Sequence, residues 1–487
     1  MSKLNKDILF LIFEELQHNS KYLFSCLMVN RIWCETVVPI LWRNPWRYAI
    51  NYYKKKSLYS IITSYLTNDI KESLTKKRIK ISVQSLTFDY LSFCMSIDIQ
   101  IIDEIISIGT SSEYNRFVLQ EEIYSFLIKK CPEIKYLKLC DTYEMVVYLP
   151  EAKVRLESLC ELTCDTLIDS RYFYRLAHIC QQIQRIIIYN KNLNANHGTT
   201  KLIEFQKNLK YFKWVDDFID DYDDFDWEQL EDPYTKIFKI LKNHANTLNY
   251  FAISLQFDYS SGDYDYKFLL YTLLELQNLI ILAIRTPLFL DNADLNEKLE
   301  MMAYRDLEIL EIDFIDIYQA TCIIKNSLHL RKLLITNFYY NDSSNDGSLN
   351  FIRTICESCL LIEYLTIPVF PLLETHFIEF EKLLKKCQKL LSLNFKEGYY
   401  EKGKELEFGD YLLNVLIREA STTLREIRVT YDIKFSLKTL ETFFEKWKGR
   451  PAVSIYLEAT SFYQNDNSYM KLFDKYKIEG IIKNINV

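Results

Sequence analysis

One short phrase constrains the fold of this chain more than any other feature: an apolar residue, two others, an apolar residue, one other, and a third apolar residue. It stands at Val83-Leu86-Phe88, Ile134-Leu137-Leu139, Leu159-Leu162-Cys164, Ile183-Ile186-Ile188, Leu209-Phe212-Trp214 and Leu248-Phe251-Ile253. It returns at Leu279-Leu282-Ile284, Leu307-Leu310-Ile312, Leu330-Leu333-Ile335, Ile362-Leu365-Ile367, Leu390-Leu393-Phe395 and Leu424-Ile427-Val429. A degenerate run, Val453 to Leu457, closes the series. From residue 134 onward the starts are separated by 25, 24, 26, 39, 31, 28, 23, 32, 28 and 34 residues. The 51-residue interval from 83 to 134 has room for a further unit. The last two apolar positions of each phrase alternate as a strand requires, and the intervening stretches 121–130, 268–276 and 377–386 carry helical periodicity. A strand plus a helix per unit, each unit burying its face against its neighbours, is the pattern of an α/β solenoid. With 487 residues the chain is too long for one ordinary core, as such an array would be.

Charge narrows the partners. With 59 Lys+Arg against 66 Asp+Glu the net charge is −7, so no general basic field attracts nucleic acid or an anionic membrane. The opening MSKLNKDILF starts an amphipathic pattern at once and lacks the apolar core of a signal peptide. Leu269 to Ile284 is interrupted by Glu275, Gln277 and Asn278 and is too short to span a bilayer. The expectation is a soluble cytoplasmic or nuclear protein whose twelve cysteines are reduced thiols. Cys131, Cys180, Cys359 and Cys387 each stand three residues before a phrase start, where Ala245, Ser327 and Ser421 stand in other copies, so the position calls for a small side chain.

The search for chemistry returns little. Six histidines form no HExxH, and neither a phosphate-binding glycine loop nor a nucleophile elbow is present. Cys356-Glu-Ser-Cys359 lacks the second Cys/His pair that a zinc site needs. The expectation is a non-enzymatic chain without metal or cofactor. The segment from Asp216 to Asp232 holds ten acidic and no basic residues and falls in the 39-residue interval, which marks it as an acidic loop inserted between units. Its alternatives are a solvated loop and a contact for a basic target segment.

Residues 4–42 read as three short helices, with Asn5, Ser20 and Asn30 at their starts. They carry more apolar side chains than three short helices can bury on themselves. Leu4-Asn5-Lys6-Asp7-Ile8-Leu9, then Ile12-Phe13, then Cys26 to Trp33, then Val38-Pro39-Ile40-Leu41-Trp42-Arg43-Asn44-Pro45-Trp46 resembles the F-box as found in large fungal F-box families. Many members have Leu-Pro where this chain has Leu4-Asn5, so altered contact is expected at that point. The resemblance implies a helical handle over residues 1–46 that docks on the Skp-family linker of a Skp–cullin–F-box ubiquitin ligase, and through it on a cullin. The residues it implies for linker binding are Leu4, Ile8, Leu9, Ile12, Phe13, Leu16, Leu23, Leu27, Val29 and Trp33. The recurrent phrase with its preceding cysteine is in turn similar to the repeat of F-box leucine-rich proteins, although its lengths vary and the asparagine expected after the strand is mostly absent.

The fold class read from the sequence is therefore α/β: a three-helix F-box (1–46), a helical connector (47–80) and an irregular leucine-rich-repeat solenoid (81–487). Residues between the ladder positions point out of the core. Tyr136, Lys138, Arg185, Tyr189, Tyr211, Lys213, Tyr250, Arg285 and Tyr364 are accordingly the candidates for holding a target, being of types that tend to dominate interfaces. The expected function is a substrate-recognition adaptor with an unidentified protein substrate and no self-association. The alternative is a ligase-independent scaffold that uses the helical module only for docking.

Overall fold

The computed structural model describes residues 5–486, apart from 18, 49–51, 140–143, 192–193, 218–233, 257–266, 289–292, 302–303, 340–345 and 399–401. In all eleven copies of the phrase from Ile134 to Val429, each of the three apolar side chains is no more than 2% exposed. Burial this complete explains why the phrase repeats. Parallel strands covered on the ladder side need an apolar residue at each inward position, and a polar one there would be stranded without water.

The chain divides into two compact units, Met1–Leu241 and Lys242–Val487. The first holds five strands, each paired in parallel with the next: β1 (Ser96–Asp98), β2 (Tyr136–Lys138), β3 (Glu161–Asp165), β4 (Arg185–Asn190) and β5 (Tyr211–Asp216). Its helices are α1 (Lys6–Glu15), α2 (Ser20–Leu27), α3 (Arg31–Arg43), α4 (Tyr52–Ser64), α5 (Asn68–Lys76), α6 (Ile99–Ile106), α7 (Glu113–Lys130), α8 (Ala152–Leu156), α9 (Ser170–Ile179), α10 (His197–Glu204) and α11 (Thr235–Leu241). The second unit holds β6 (Tyr250–Ser254), β7 (Ile281–Leu288), β8 (Ile309–Asp316), β9 (Lys332–Tyr339), β10 (Tyr364–Pro368), β11 (Ser392–Lys396), β12 (Glu426–Val429), β13 (Val453–Leu457) and β14 (Ile482–Ile485). These are again parallel in chain order, with helices between them.

Four expectations are corrected. Val83-Leu86-Phe88 is not a strand: Val83 is 85% exposed, and the first strand lies at Ser96–Asp98 instead. There Cys94, Ile97 and Ile99 fill the three inward slots, each 1% exposed or less. A further strand, β14, follows Val453–Leu457. Ser20 does not cap α2; Asn19 precedes it, with no side-chain capping bond, whereas Asn5 and Asn30 accept from the amides of Asp7 and Trp33 as expected for caps. The acidic segment does not begin as a loop, because Asp216 ends β5 and is 2% exposed, while Asp217 is exposed. Residues 218–233 of that segment lie outside the described residues.

Asp216 is held by neutral donors. Trp214 Nε1 and Asn190 Nδ2 donate to its Oδ1 at 2.8 and 3.0 Å, and the Tyr234 hydroxyl donates to its Oδ2 at 2.9 Å. Asn190 Oδ1 in turn accepts from Thr166 Oγ1 at 2.9 Å, whose oxygen accepts from the Lys191 amide at 3.0 Å. Three successive repeats thus carry Thr166, Asn190 and Asp216 linked to one another at one strand end.

The small position before each phrase has a physical cause as well. Cys180 Sγ reaches the Leu156 carbonyl at 3.3 Å, Cys387 Sγ the Cys359 carbonyl at 3.7 Å and Ser421 Oγ the Gln388 carbonyl at 2.8 Å. Each spans to the preceding repeat, where a longer side chain would not fit. Burial pushes the thiols of Cys180, Cys359 and Cys387 up to about 12. At pH 8 their thiolate fraction is about one part in ten thousand. Peptide mapping after native alkylation with iodoacetamide should find the partly exposed Cys160 modified and these three untouched until denaturant is added.

Candidate functional site

Within α1, Leu9 and Phe13 lie one turn apart and face inward, 2% and 1% exposed. The Phe13 ring meets Trp33 of α3 edge-on at 5.1 Å between centroids, and Leu23 of α2 is fully buried. A bidentate fork fixes α1 to the end of α3: Arg43 Nη1 and Nη2 donate to the two Glu14 oxygens at 3.1 and 2.6 Å. The hydrogen bond to the Glu14 carboxylate raises the Arg43 pKa. Tyr48 adds a hydrogen bond to the Gln17 carbonyl at 3.1 Å. Three short helices thereby acquire a core and a fixed geometry of their own.

The same unit leaves much apolar surface in water. Ile8 (48%), Leu11 (66%) and Ile12 (44%) form one stripe of α1 at spacings of three and four. Met28 (87%) and Val29 (54%) occupy the turn between α2 and α3, and Phe10, Tyr22, Phe24 and Ile32 are exposed as well. Nine of the 29 exposed large hydrophobic side chains among the described residues fall in the stretch 8–32, and the other twenty are spread over the rest. Scattered apolar residues are ordinary on a surface, whereas a dense group on a rigid support marks a contact region.

The ten residues expected to bind a linker therefore separate. Ile8, Ile12 and Val29 are exposed, and Leu16, Leu27 and Trp33 are half-buried. Leu9, Phe13 and Leu23 are corrected: they are core, because the contact with Trp33 turns that side of α1 inward. Leu4 lies outside the described residues. Phe10, Leu11, Tyr22, Phe24, Met28 and Ile32, not among the ten, are exposed beside them. Their apolar character was visible in the sequence, but the direction each faces is decided by the neighbouring helix.

The candidate target-binding residues fall on the outward side of each unit's sheet. In the first unit strand register aligns Tyr136, Glu161, Arg185 and Tyr211 in one row and Asp98, Lys138, Thr163, Ile187 and Lys213 in the next, with Tyr189 between Asp165 and Val215 in a third. Two of the cations, Arg185 and Lys138, are engaged by their neighbours. The Arg185 guanidinium lies 3.6 Å from the Tyr211 ring centroid and its Nε 3.5 Å from Glu161, while Lys138 Nζ is 3.4 Å from Asp98. In the second unit Tyr250 and Tyr364 share one row, and Arg285, on a row four residues further along the strand, lies 3.8 Å from Glu311. Two further cation–aromatic pairs lie on this face: Lys332 over Tyr364 at 4.8 Å, and Arg428 over Tyr456 at 4.0 Å with Glu426 at 2.8 Å. Lys332 and Arg428 sit between ladder positions, so the alternation that found the others would have found them too.

Such a surface offers guanidinium, ammonium and phenol groups already oriented by stacking, which lowers the entropy lost when they grip another molecule. Among the described residues no group of three His, Cys, Asp or Glu is arranged to hold a metal ion. No helix of the described residues is long and apolar enough to cross a membrane.

No protein-family model matches the chain. No curated protein matches it either. Among solved structures, the crystal structure of the Rad7 and Elc1 complex in yeast is similar at 13% identity with a TM-score of 0.39, over 80% of this chain and 91% of that one.

Proposed function

We propose that the chain is a non-catalytic substrate-recognition adaptor of a Skp–cullin–F-box ubiquitin ligase, working in the cytoplasm or nucleus. The observation that carries this reading is the set of exposed apolar side chains on α1 to α3, held by a unit that has its own core and its own Arg43–Glu14 clamp. The motif pattern of residues 4–46 points the same way. A Skp-family linker would cover Ile8, Leu11, Ile12, Met28 and Val29 by helix-in-groove packing. Five side chains at ~1.5–3 kcal/mol each exceed the lower end of the roughly 4–15 kcal/mol cost of association. Charge pairing is then unnecessary.

The outward rows of Tyr, Arg and Lys would hold a protein target. The chain supplies no nucleophile in this mechanism. It raises the local concentration of target lysines beside a ubiquitin-loaded partner. Affinity purification of the tagged full chain should recover both a Skp-family linker and a cullin. Recovery of linker without cullin would replace the ligase assignment with that of a free-standing scaffold, and recovery of neither would remove both.

A further inference from the structure

Among the described residues Arg78 is the one non-glycine with a left-handed backbone, at φ 61°. It stands just past α5, where its amide donates to the Thr75 carbonyl at 2.9 Å and the Ile79 amide donates to the Leu74 carbonyl at 3.1 Å. Helix ends closed in this way ordinarily place glycine, or less often asparagine, where Arg78 stands, because a Cβ crowds the backbone there. The Arg78 side chain is exposed, so no burial offsets that strain. Glycine would serve the fold better, and the guanidinium at this point calls for another reason.

Its surroundings supply one. Lys76, Lys77 and Lys80 stand beside it in the chain, Lys76 in an ion pair with Glu72. The first turn of α7 is tied to the same corner: Asn115 Nδ2 donates to the Lys77 carbonyl at 3.0 Å, and Lys77 Nζ lies 5.7 Å from the centroid of the Tyr114 ring. Tyr114 is 69% exposed and Phe117, three residues further along α7, 46%. Four cations stand against two carboxylates, Glu72 and Glu113, a local excess of positive charge in a chain of net charge −7. Cations beside exposed rings suit an acidic segment that also carries apolar side chains. A long polyanion suits the corner less, because the negative chain around it would repel whatever extends past the patch. We propose that this corner of α5 and α7 docks an acidic, apolar-containing peptide segment of a partner protein, its carboxylates at Lys77, Arg78 and Lys80 and an apolar side chain against Tyr114 and Phe117. The assignment is independent of any ligase role.

Fluorescence anisotropy of the full chain with the fluorescein-labelled peptide Glu-Asp-Glu-Phe-Asp-Glu-Leu-Asp should show saturable binding that weakens several-fold as salt rises from about 50 to about 300 mM. The same peptide with Gln and Asn in place of Glu and Asp should not bind. Arg78→Gly should weaken the acidic peptide roughly threefold to fivefold, yet keep or raise the thermal midpoint of the chain, which separates the effect from any folding defect. Tyr114→Ala should weaken it as well. Binding that Arg78→Gly leaves unchanged, or that the neutral peptide matches, would overturn the surface, and binding indifferent to Tyr114→Ala would overturn the place of the apolar side chain. A lowered midpoint for Arg78→Gly would show that the guanidinium serves the fold and remove the reason given for it. Tighter binding of a single-stranded oligo(dT) of similar charge would overturn the peptide as occupant.

Discussion

Replacing Leu11 and Ile12 together by aspartate is expected to abolish binding of a purified Skp-family linker while leaving the stability of the chain within about 0.5 kcal/mol. Both side chains are exposed, by 66% and 44%, so the folded chain loses little packing when they change. The complex loses two apolar contacts at ~1.5–3 kcal/mol each, and it would also have to strip water from two carboxylates. The sum corresponds to a loss of affinity of about a hundredfold or more. Phe13→Asp provides the contrast. That ring is 1% exposed against Trp33, so the change should unfold the three-helix unit itself and appear in circular dichroism before any binding assay. Calorimetric titration of the Leu11→Asp/Ile12→Asp chain that matched the unaltered chain would show that this face of α1 does not grip the linker.

Asp216→Ala should be among the most destabilising single changes in the first unit, at ~1–3 kcal/mol for each buried donor that loses its acceptor. Three donors converge on its carboxylate, from Trp214, Asn190 and Tyr234, and the substitution takes this acceptor away from each of them. The loss would pass to Thr166 through Asn190, loosening three adjacent repeats together. Asp217→Ala, one residue on and exposed, should move the urea midpoint by almost nothing. Equal midpoints for the two variants would mean that the ladder is replaceable by water. The contrast also bears on the acidic stretch as a whole, since its first residue holds the fold together and is not available to a partner.

Much of the array was legible because its signal is local and redundant. Eleven phrases in a row put apolar residues where parallel strands must bury them, and each agrees with the helical stretch that follows. The misreadings came where a pattern match lacked that support. Val83, Leu86 and Phe88 satisfy the spacing by chance in a segment without regular structure, whereas the true first strand puts Cys94, Ile97 and Ile99 in the three slots. The N-terminal surface was legible in kind and not in direction. Ile8, Leu9, Leu11, Ile12 and Phe13 run almost continuously along α1, so its periodicity does not choose an inner face. Trp33 and Leu23 choose it, from two other helices. The outward Tyr and Arg residues followed from alternation alone, but their mutual stacking depends on which repeats become neighbours, and the sequence gives that only through register.

The junction between the N-terminal helices and β1 has a consequence for anyone who would separate them. The Trp46 indole donates to the Ser96 carbonyl at 2.7 Å, and the Met95 amide donates to the Arg43 carbonyl at 3.0 Å. These bonds occupy backbone groups at the margin of the first strand, which would otherwise be open to a stray chain in search of a template. A fragment starting after residue 46 would be an unsealed sheet, prone to stick to its own copies. The helices that carry the exposed apolar stripe are thus also the stopper of the sheet, and removing them should leave a fragment that precipitates.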